Sequence, residues 1–292
     1  MIFNGISFTI VTGIIWTMLA VIYSGVASKQ KSITGFMFLY SAFFTVLIWI
    51  FQFPQAVSLK EFSCIALAMV PSALAGLAGF QLLYQAMRHG SHAVAWTFTQ
   101  SAMIWPCLGG WLIFHQPVRY LNLAGLLLII AALCCLGISQ NKDAEKKNSL
   151  LAIMLCIAAM IMQGISQFCT LFPGEWQMSK AALSWRLPVL ALTGFIAWAI
   201  AAAIIRPALG KAVIKSSTIY SLVVAAGQIT LFIAIDALTP VNMTGIVYPA
   251  AISICIILFA LYCAVFRKEK LSIPAISGLT LLLAGVILLF WH

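Results

Sequence analysis

Apolar stretches long enough to cross a membrane recur along the whole sequence, and they constrain its fold more than any other feature. About twenty apolar residues in a helix span the hydrocarbon core of a bilayer. A membrane-length window finds ten such spans, at roughly 4–26, 33–52, 63–87, 92–114, 119–138, 150–170, 183–205, 217–235, 241–266 and 272–291. Apolar residues make up 63% of the chain and charged residues only 8%, far below the share in soluble domains. We therefore predict an all-α membrane protein with ten transmembrane helices.

The densest run of charge, QNKDAEKKN, begins at residue 140, near the middle of the chain. It separates spans one to five (residues 1–139) from spans six to ten (residues 150–292), with residues 140–149 as a charged cytoplasmic linker. Because five is odd, two homologous halves would enter the membrane from opposite sides. The sequence therefore predicts two inverted five-helix repeats, a plan in which transporters bind substrate near the midplane between the halves.

Internal similarity between the two halves favours the same plan. Spans three to four and spans eight to nine each contain a tight polar turn followed by a long span with a proline, Pro106 or Pro249. These two prolines, with Pro71 and Pro188, fall inside spans. We expect all four to bend their helices, because proline cannot donate the backbone hydrogen bond.

The basic residues predict the orientation in the membrane. Of the 16 Lys and Arg residues, only Lys60, Arg119, Lys180 and Arg186 fall in one set of alternate connections, and the others fall in the opposite set. Cytoplasmic loops are enriched in Lys and Arg. The larger set is therefore placed in the cytoplasm and both termini outside. The expected location is the cell inner (plasma) membrane, as a multi-pass protein.

Several segments resemble the drug/metabolite transporter superfamily in its ten-helix, EamA-like form. They are GIIWTMLAVIYS in span one, LLYQAMRHGSHAVAWTFTQSAMIWPCLGGWLIFHQPV across spans three and four, and FIAIDALTPVNMTGIVYP in the second half. The similarity covers essentially the whole chain. The predicted topology is most similar to that of the rhamnose and glucose/ribose porters. HQPV lacks the Gly-Glu pair common at that position in the family, so Glu269 of FRKEKL is the only acidic match.

The resemblance implies that spans one, three, four, six, eight and nine line a central cavity. It also implies that spans five and ten pack at the periphery or form a homodimer. Polar side chains in the lining spans are candidates for solute binding, because an amide or indole N–H in hydrocarbon must find a partner. The candidates are Trp16, Tyr23, Gln81, Tyr84, Gln85, Trp96, Gln100, Trp105, Gln163, Gln167, Gln228 and Tyr248. Such aromatic and amide groups suit a polyhydroxylated or zwitterionic solute. The alternative for each residue is packing between helices or an interfacial belt.

Few titratable groups could couple transport to protons. No carboxylate falls near the midplane of the ten spans, where a charge marks function. Exchange of a cation for protons at a membrane-embedded glutamate is therefore not expected. The nearest groups are His92, at the inner start of span four, and Asp236, at the outer end of span eight. We predict both as coupling or gate residues, with helix capping as the alternative.

The combined pattern predicts a secondary transporter that moves a small polar metabolite by alternating access through a midplane cavity. A sugar-like solute is the first expectation and an amino acid the second. A lipid or lipid-linked-intermediate flippase and a non-transporting membrane scaffold are the alternatives. The net charge of +10 is scattered rather than clustered, so the expected partners are a solute and the bilayer, not nucleic acid. With no nucleophile, acid–base pair or metal-ligand cluster in the pattern, we expect no enzymatic activity, metal or cofactor.

Overall fold

The computed structural model describes residues 2–29, 33–89, 95–96, 99–116, 119–140, 149–266 and 273–290. No β-strand occurs within these ranges. Three features that the sequence singles out lie outside the described residues: His92, most of the charged linker (141–148) and Glu269.

Helices account for most of the described residues. In chain order they are α1 Ile2–Lys29, α2 Thr34–Phe51, α3 Leu59–His89, α4 Ile104–Leu112, α5 Tyr120–Gln140, α6 Ser149–Cys169, α7 Phe172–Glu175, α8 Lys180–Leu183, α9 Arg186–Ile205, α10 Lys211–Leu238, α11 Val247–Phe266 and α12 Ile273–Phe290. Short 3₁₀ turns occur at Ser101–Met103, Thr239–Val241 and Thr244–Ile246. Within the described ranges, 7 helical segments are long and apolar enough to cross a membrane. The prediction of an all-α, membrane-type fold is confirmed at this level.

Three of the four prolines expected to bend helices stand directly after a break in their span, where a helical segment starts again. Pro106, Pro188 and Pro249 are the third residues of α4, α9 and α11. First-turn N–H groups have no acceptor within their own helix, so a missing N–H loses nothing there. Only Pro71, in α3, lies inside a helix. A hydropathy window misses such breaks because the preceding turns are themselves short of charge.

The two halves of the chain pack against each other along most of their helices. α1 contacts α10 and α11, α2 contacts α9 and α10, and α3 contacts α6 and α9. α4 packs on α6, and α5 packs along α12 within the same chain. The centre of the bundle is therefore shared by both halves, with α5 and α12 beside it.

Contacts between connecting segments define two ends of the bundle. At one end, the backbone N–H of Gln55 donates to Ser184 Oγ (3.1 Å), and Gln116 donates to Glu175 (2.8 Å). We call it the Glu175 end. At the opposite end Gly35 lies against Pro207, and we call it the Pro207 end.

Glycine allows the closest approach of α5 and α12, and this contact gives a stability prediction. A Cβ at Gly285 would lie 2.8 Å from the carbonyl oxygen of Gly125 and 2.7 Å from Ile129 Cγ1. Because a backbone oxygen cannot move aside, we expect Gly285→Ala to lower the free energy of unfolding by about 1–3 kcal/mol. Denaturant unfolding in detergent measures the change.

The matched control is Gly194→Ala in α9, where an added Cβ meets nothing within 4 Å. Alanine has the higher helix propensity, so this variant should be neutral or slightly more stable. Equal destabilisation by the two variants would contradict the close approach of α5 and α12.

Candidate functional site

A cavity of about 160 Å³ lies inside the bundle. That volume has room for several water molecules or a small solute. Residues from α1, α2, α3, α6, α9, α10 and α11 line it, together with Trp96, Thr99 and Gln100. The lining thus comes from both halves, and it includes α2 and α9, which the sequence did not place at the cavity.

Seven of the residues singled out in the sequence lie together on this lining. They are Trp16, Trp96, Gln100, Gln163, Gln167, Gln228 and Tyr248. Four of the seven are glutamines, so the wall combines amide groups with aromatic rings.

The candidates on α3 lie away from the lining. The cavity face of α3 carries Ser72, Gly76 and Phe80, which follow one another at the spacing of one helical turn. Gln81 follows the lining residue Leu77 by one turn but is not itself on the lining, and its Oε1 is buried without a partner among the described residues. Gln85 is out of phase with the cavity face. Tyr84 is buried, and the guanidinium of Arg88 lies 5.9 Å from its ring centroid.

Trp105 also lies away from the cavity. Its side chain is 46% exposed, and it packs on α6 where a Cβ at Gly164 would come within 2.1 Å of Trp105 Cδ1. The helix α4 begins only at Ile104, after a 3₁₀ turn, and this break changes the direction in which its side chains point. If the span were one continuous helix, as the sequence predicts, Trp105 would be placed on the cavity side instead.

Several cavity residues were missed by the sequence interpretation. Tyr40 lies on α2, a helix that the family resemblance leaves out of the lining. Tyr220 precedes Gln228 by two helical turns on α10, and Thr170 continues the face that carries Gln163 and Gln167 on α6. Polar side chains at intervals of three, four, seven or eight residues lie on one helix face, and this spacing would have pointed to the last two.

No Asp, Glu, Lys, Arg or His is among the described residues that line the cavity. The described region contains three carboxylates, and each lies elsewhere. Asp236 forms an ion pair with Arg186 (2.6 Å), Glu175 accepts hydrogen bonds at its own end of the bundle, and Glu61 is bonded to surface serines. In the same part of the chain, no group of three His, Cys, Asp or Glu could hold a metal ion.

Eight buried side-chain polar atoms have no hydrogen-bond partner among the described residues, and three of them lie together on the cavity wall: Trp96 Nε1, Thr99 Oγ1 and Gln167 Oε1. A buried polar group left unpaired costs about 1–3 kcal/mol. Most buried polar groups in proteins are paired, and clusters of exceptions call for a specific cause. A ligand that occupies the cavity would supply the missing partners.

Aromatic rings close the cavity toward the Pro207 end. The Tyr220 ring lies 5.1 Å from Phe36, 5.1 Å from Tyr40 and 6.4 Å from Tyr23, centroid to centroid. Tyr23 lies 6.3 Å from Trp96. We call Tyr23, Phe36, Tyr40, Trp96 and Tyr220 the aromatic cluster. It places a layer of buried rings between the cavity and that end, and Tyr23, a sequence candidate, belongs to it rather than to the lining.

Polar side chains join three connections at the Glu175 end. Glu175 Oε1 accepts from Gln116 Nε2 (2.8 Å) and from Thr244 Oγ1 (2.7 Å). Gln116 also bonds Thr244, and its Oε1 accepts from the backbone N–H of Gly245 (3.2 Å). We call Gln116, Glu175 and Thr244 the polar latch. It ties the connection before α5 to α7 and to the turn before α11.

Asp236, predicted as a coupling or gate residue, lies at the same end as the polar latch. It pairs with Arg186, which is 5% exposed at its side chain against 40% for Asp236. The Arg186 guanidinium also lies 4.3 Å from the Phe232 ring centroid. The pair links the start of α9 to the end of α10, which helps to hold these helices together at the Glu175 end.

Comparisons with known proteins show a likeness of fold. No family model and no curated protein matches the chain. One solved structure, described as the crystal structure of a protein, is similar over 97% of this chain and 96% of its own, with a TM-score of 0.65 and 12% sequence identity. At that identity the likeness shows the fold alone.

The polar latch yields a second stability prediction. Glu175→Ala removes the acceptor that pairs Gln116, which is only 5% exposed, and leaves buried donors without a partner. We expect the free energy of unfolding to fall by about 1–3 kcal/mol, measured by denaturant unfolding in detergent. Glu61→Ala is the control, because that carboxylate also has two hydroxyl partners but lies on the exposed surface. A loss no larger than that of the control would contradict the latch.

Proposed function

We propose that this chain is a ten-helix secondary transporter of the drug/metabolite transporter superfamily, which carries a small polar metabolite across the inner membrane by alternating access. The cavity carries this proposal. Both halves of the chain line it, and its wall has amide groups and unpartnered polar atoms at the centre of a bundle that is otherwise apolar. A sugar-like solute remains the first expectation, as predicted from the sequence.

The helix contacts support two inverted repeats. The counterparts in the two halves are α1 and α6, α2 and α9, α3 and α10, α4 and α11, and α5 and α12. If each helix is replaced by its counterpart, every contact should reappear as a contact between the counterpart helices. The contact α3–α6 reappears as α10–α1, α2–α10 as α9–α3, and α1–α11 as α6–α4. The contacts α2–α9 and α5–α12 each join a helix to its own counterpart. In addition, α4 and α11 each follow a 3₁₀ turn and carry proline as their third residue.

Alternating access requires that each end of the cavity can close. The aromatic cluster covers the cavity at the Pro207 end, and the polar latch with the Arg186–Asp236 pair joins connections at the Glu175 end. The distribution of Lys and Arg favours the Glu175 end as the outer one. In the proposed cycle, the polar latch is the outer closure and the aromatic cluster the inner one.

A thermal-shift screen of the purified protein separates a carrier of soluble metabolites from a lipid flippase. The panel contains sugars, nucleosides, amino acids, lipophilic cations and prenyl-phosphate lipids. A ligand of the folded state at 100 times its dissociation constant adds about 2.7 kcal/mol of stability. We expect one class of soluble compound to raise the unfolding temperature. A shift with the lipids alone would replace the carrier by the flippase.

Cross-linking tests the outer closure directly. The variant is Gln116→Cys with Thr244→Cys, made where the native cysteines are replaced by alanine. A short bifunctional thiol reagent should join the two sites and stop uptake into proteoliposomes of the solute found in the screen, because the outer end can no longer open. Cleavage of the linker should restore uptake. Each single-cysteine variant treated with the same reagent is the control, and full cross-linking with undiminished uptake would refute this closure.

A further inference from the structure

We propose that the cavity selects an electrically neutral solute that has a ring face and carries both donors and acceptors of hydrogen bonds, with Trp96, Thr99 and Gln167 as its specificity-determining residues. This inference rests on the proposed transport function. It narrows the substrate from any small polar metabolite to uncharged ones, and it excludes free amino acids, which are zwitterions at neutral pH.

The described part of the wall carries no charged side chain. An ion that leaves water for an apolar interior needs a counter-charge or several strong hydrogen bonds. Arg186 is not on the described lining, and its charge is already balanced by Asp236, which its Nη2 contacts at 2.6 Å, although its Nη1 is buried without a partner. A carboxylate or phosphate in the cavity would therefore lose its hydration and have to compete with Asp236 for this one cation.

Organic cations are the strongest competing class, because aromatic faces attract them. The lining contains the rings of Trp16, Tyr40, Trp96, Tyr220 and Tyr248. A cation over these rings would still have no carboxylate, since none lies on the described lining. Attraction to rings alone is weaker than the hydration that a compact ammonium group loses. The same aromatic side chains can pack against the ring of a neutral solute, which loses no ionic hydration on entering the cavity.

The unpartnered atoms define what the solute must offer. The indole Nε1 of Trp96 can only donate, the amide oxygen of Gln167 can only accept, and the hydroxyl of Thr99 can do either. A solute that satisfies all three must therefore both accept and donate. Sugar hydroxyl groups meet this requirement, and so do the amide-like edges of uncharged heterocycles.

Two aromatic rings on neighbouring helices from the two halves of the chain support a solute with a ring face. The rings of Trp16 on α1 and Tyr248 on α11 lie 5.9 Å apart, tilted by 34°, and both line the cavity. Together they give the wall a flat apolar surface against which a ring can pack. A monosaccharide and a nucleoside share this chemistry, and the experiment distinguishes them.

The test compares neutral compounds with charged ones of similar composition. Glucose is compared with glucose 6-phosphate, which keeps the ring, and with gluconate, an open-chain anion; uridine is compared with uridine monophosphate, and serine and choline are added as a zwitterion and a cation. Dissociation constants are measured on the full-length protein in detergent. We expect a neutral compound to bind at least about tenfold more tightly than its charged counterpart. The sugar and nucleoside arms show which source of the shared chemistry the site accepts.

The other outcomes separate this inference from the transport function. Tighter binding of a phosphate, gluconate, serine or choline would overturn neutral selectivity and leave a carrier with a different substrate. Binding confined to prenyl-phosphate lipids, or binding of nothing in the panel, would count against the transport function as well.

A matched pair of tryptophans tests the assigned residues. Trp96 and Trp198 are both 6% exposed, and both have an indole Nε1 without a partner. Only Trp96 lines the cavity. We expect Trp96→Phe to weaken binding of the neutral compound about tenfold, because one hydrogen bond is lost while the ring is kept, and Trp198→Phe to leave binding unchanged.

A second pair of variants, at two glutamines, gives an independent test in case a tryptophan variant fails to fold. Gln167 and Gln52 both have a buried, unpartnered Oε1, and only Gln167 lines the cavity. Gln167→Leu should weaken binding, and Gln52→Leu should not. Equal binding by cavity and control variants of either pair would overturn the specificity role.

Discussion

The need to satisfy every polar group inside an apolar bundle is the constraint on which the rest of this structure depends. Hydrocarbon offers no hydrogen bonds, so polar groups in membrane helices must find partners in the protein. Hydroxyl groups along the helices do this locally. Thr9 donates to the carbonyl oxygen of Gly5 (2.8 Å), and Thr45 donates to that of Ser41 (2.8 Å). Three of the described buried polar atoms that lack a partner lie together on the wall of the central cavity, where a bound ligand would supply it.

The same constraint explains how the two halves meet. Ser72 on α3 donates to the carbonyl oxygen of Ser166 on α6 (2.8 Å), and Thr12 on α1 donates to Thr230 Oγ1 on α10 (2.9 Å). Without a hydrophobic drive between helices in lipid, close packing and such bonds supply the association.

Glycine completes both of these contacts and brings cavity residues into place. A Cβ at Gly79 would come within 2.9 Å of Gln163, and one at Gly227 within 3.0 Å of Trp16. Each glycine thus admits, from the opposite half, one of the side chains that line the cavity. The contacts that pack the two halves together therefore also position the side chains of the cavity wall.

The sequence predicts correctly those features that depend on a single stretch of residues, and it fails for features that depend on how distant segments pack. Apolar length alone predicts helices such as α3 and α10, because hydropathy follows directly from composition. Hydropathy does not predict that α4 starts at Ile104, since the turn before it is as apolar as a helix. Trp105 then faces outward instead of inward. The place of Tyr40 in the cavity depends on how α2 packs against the second half, which no single stretch of sequence encodes.

The two ends of the proposed carrier are closed by different chemistry, and this bears on how each would open. Opening the polar latch exchanges its hydrogen bonds for bonds to water, a change of about 0.5–1.5 kcal/mol for each. Separating the aromatic cluster exposes apolar surface, at roughly 25 cal/mol for every Å². Two of its members, Tyr23 and Phe36, are fully buried. A solute in contact with Trp96 and Tyr220, which line the cavity, is well placed to offset part of that exposure. In such a cycle the bound solute itself helps to release the aromatic end, whereas the polar latch can open to water without it.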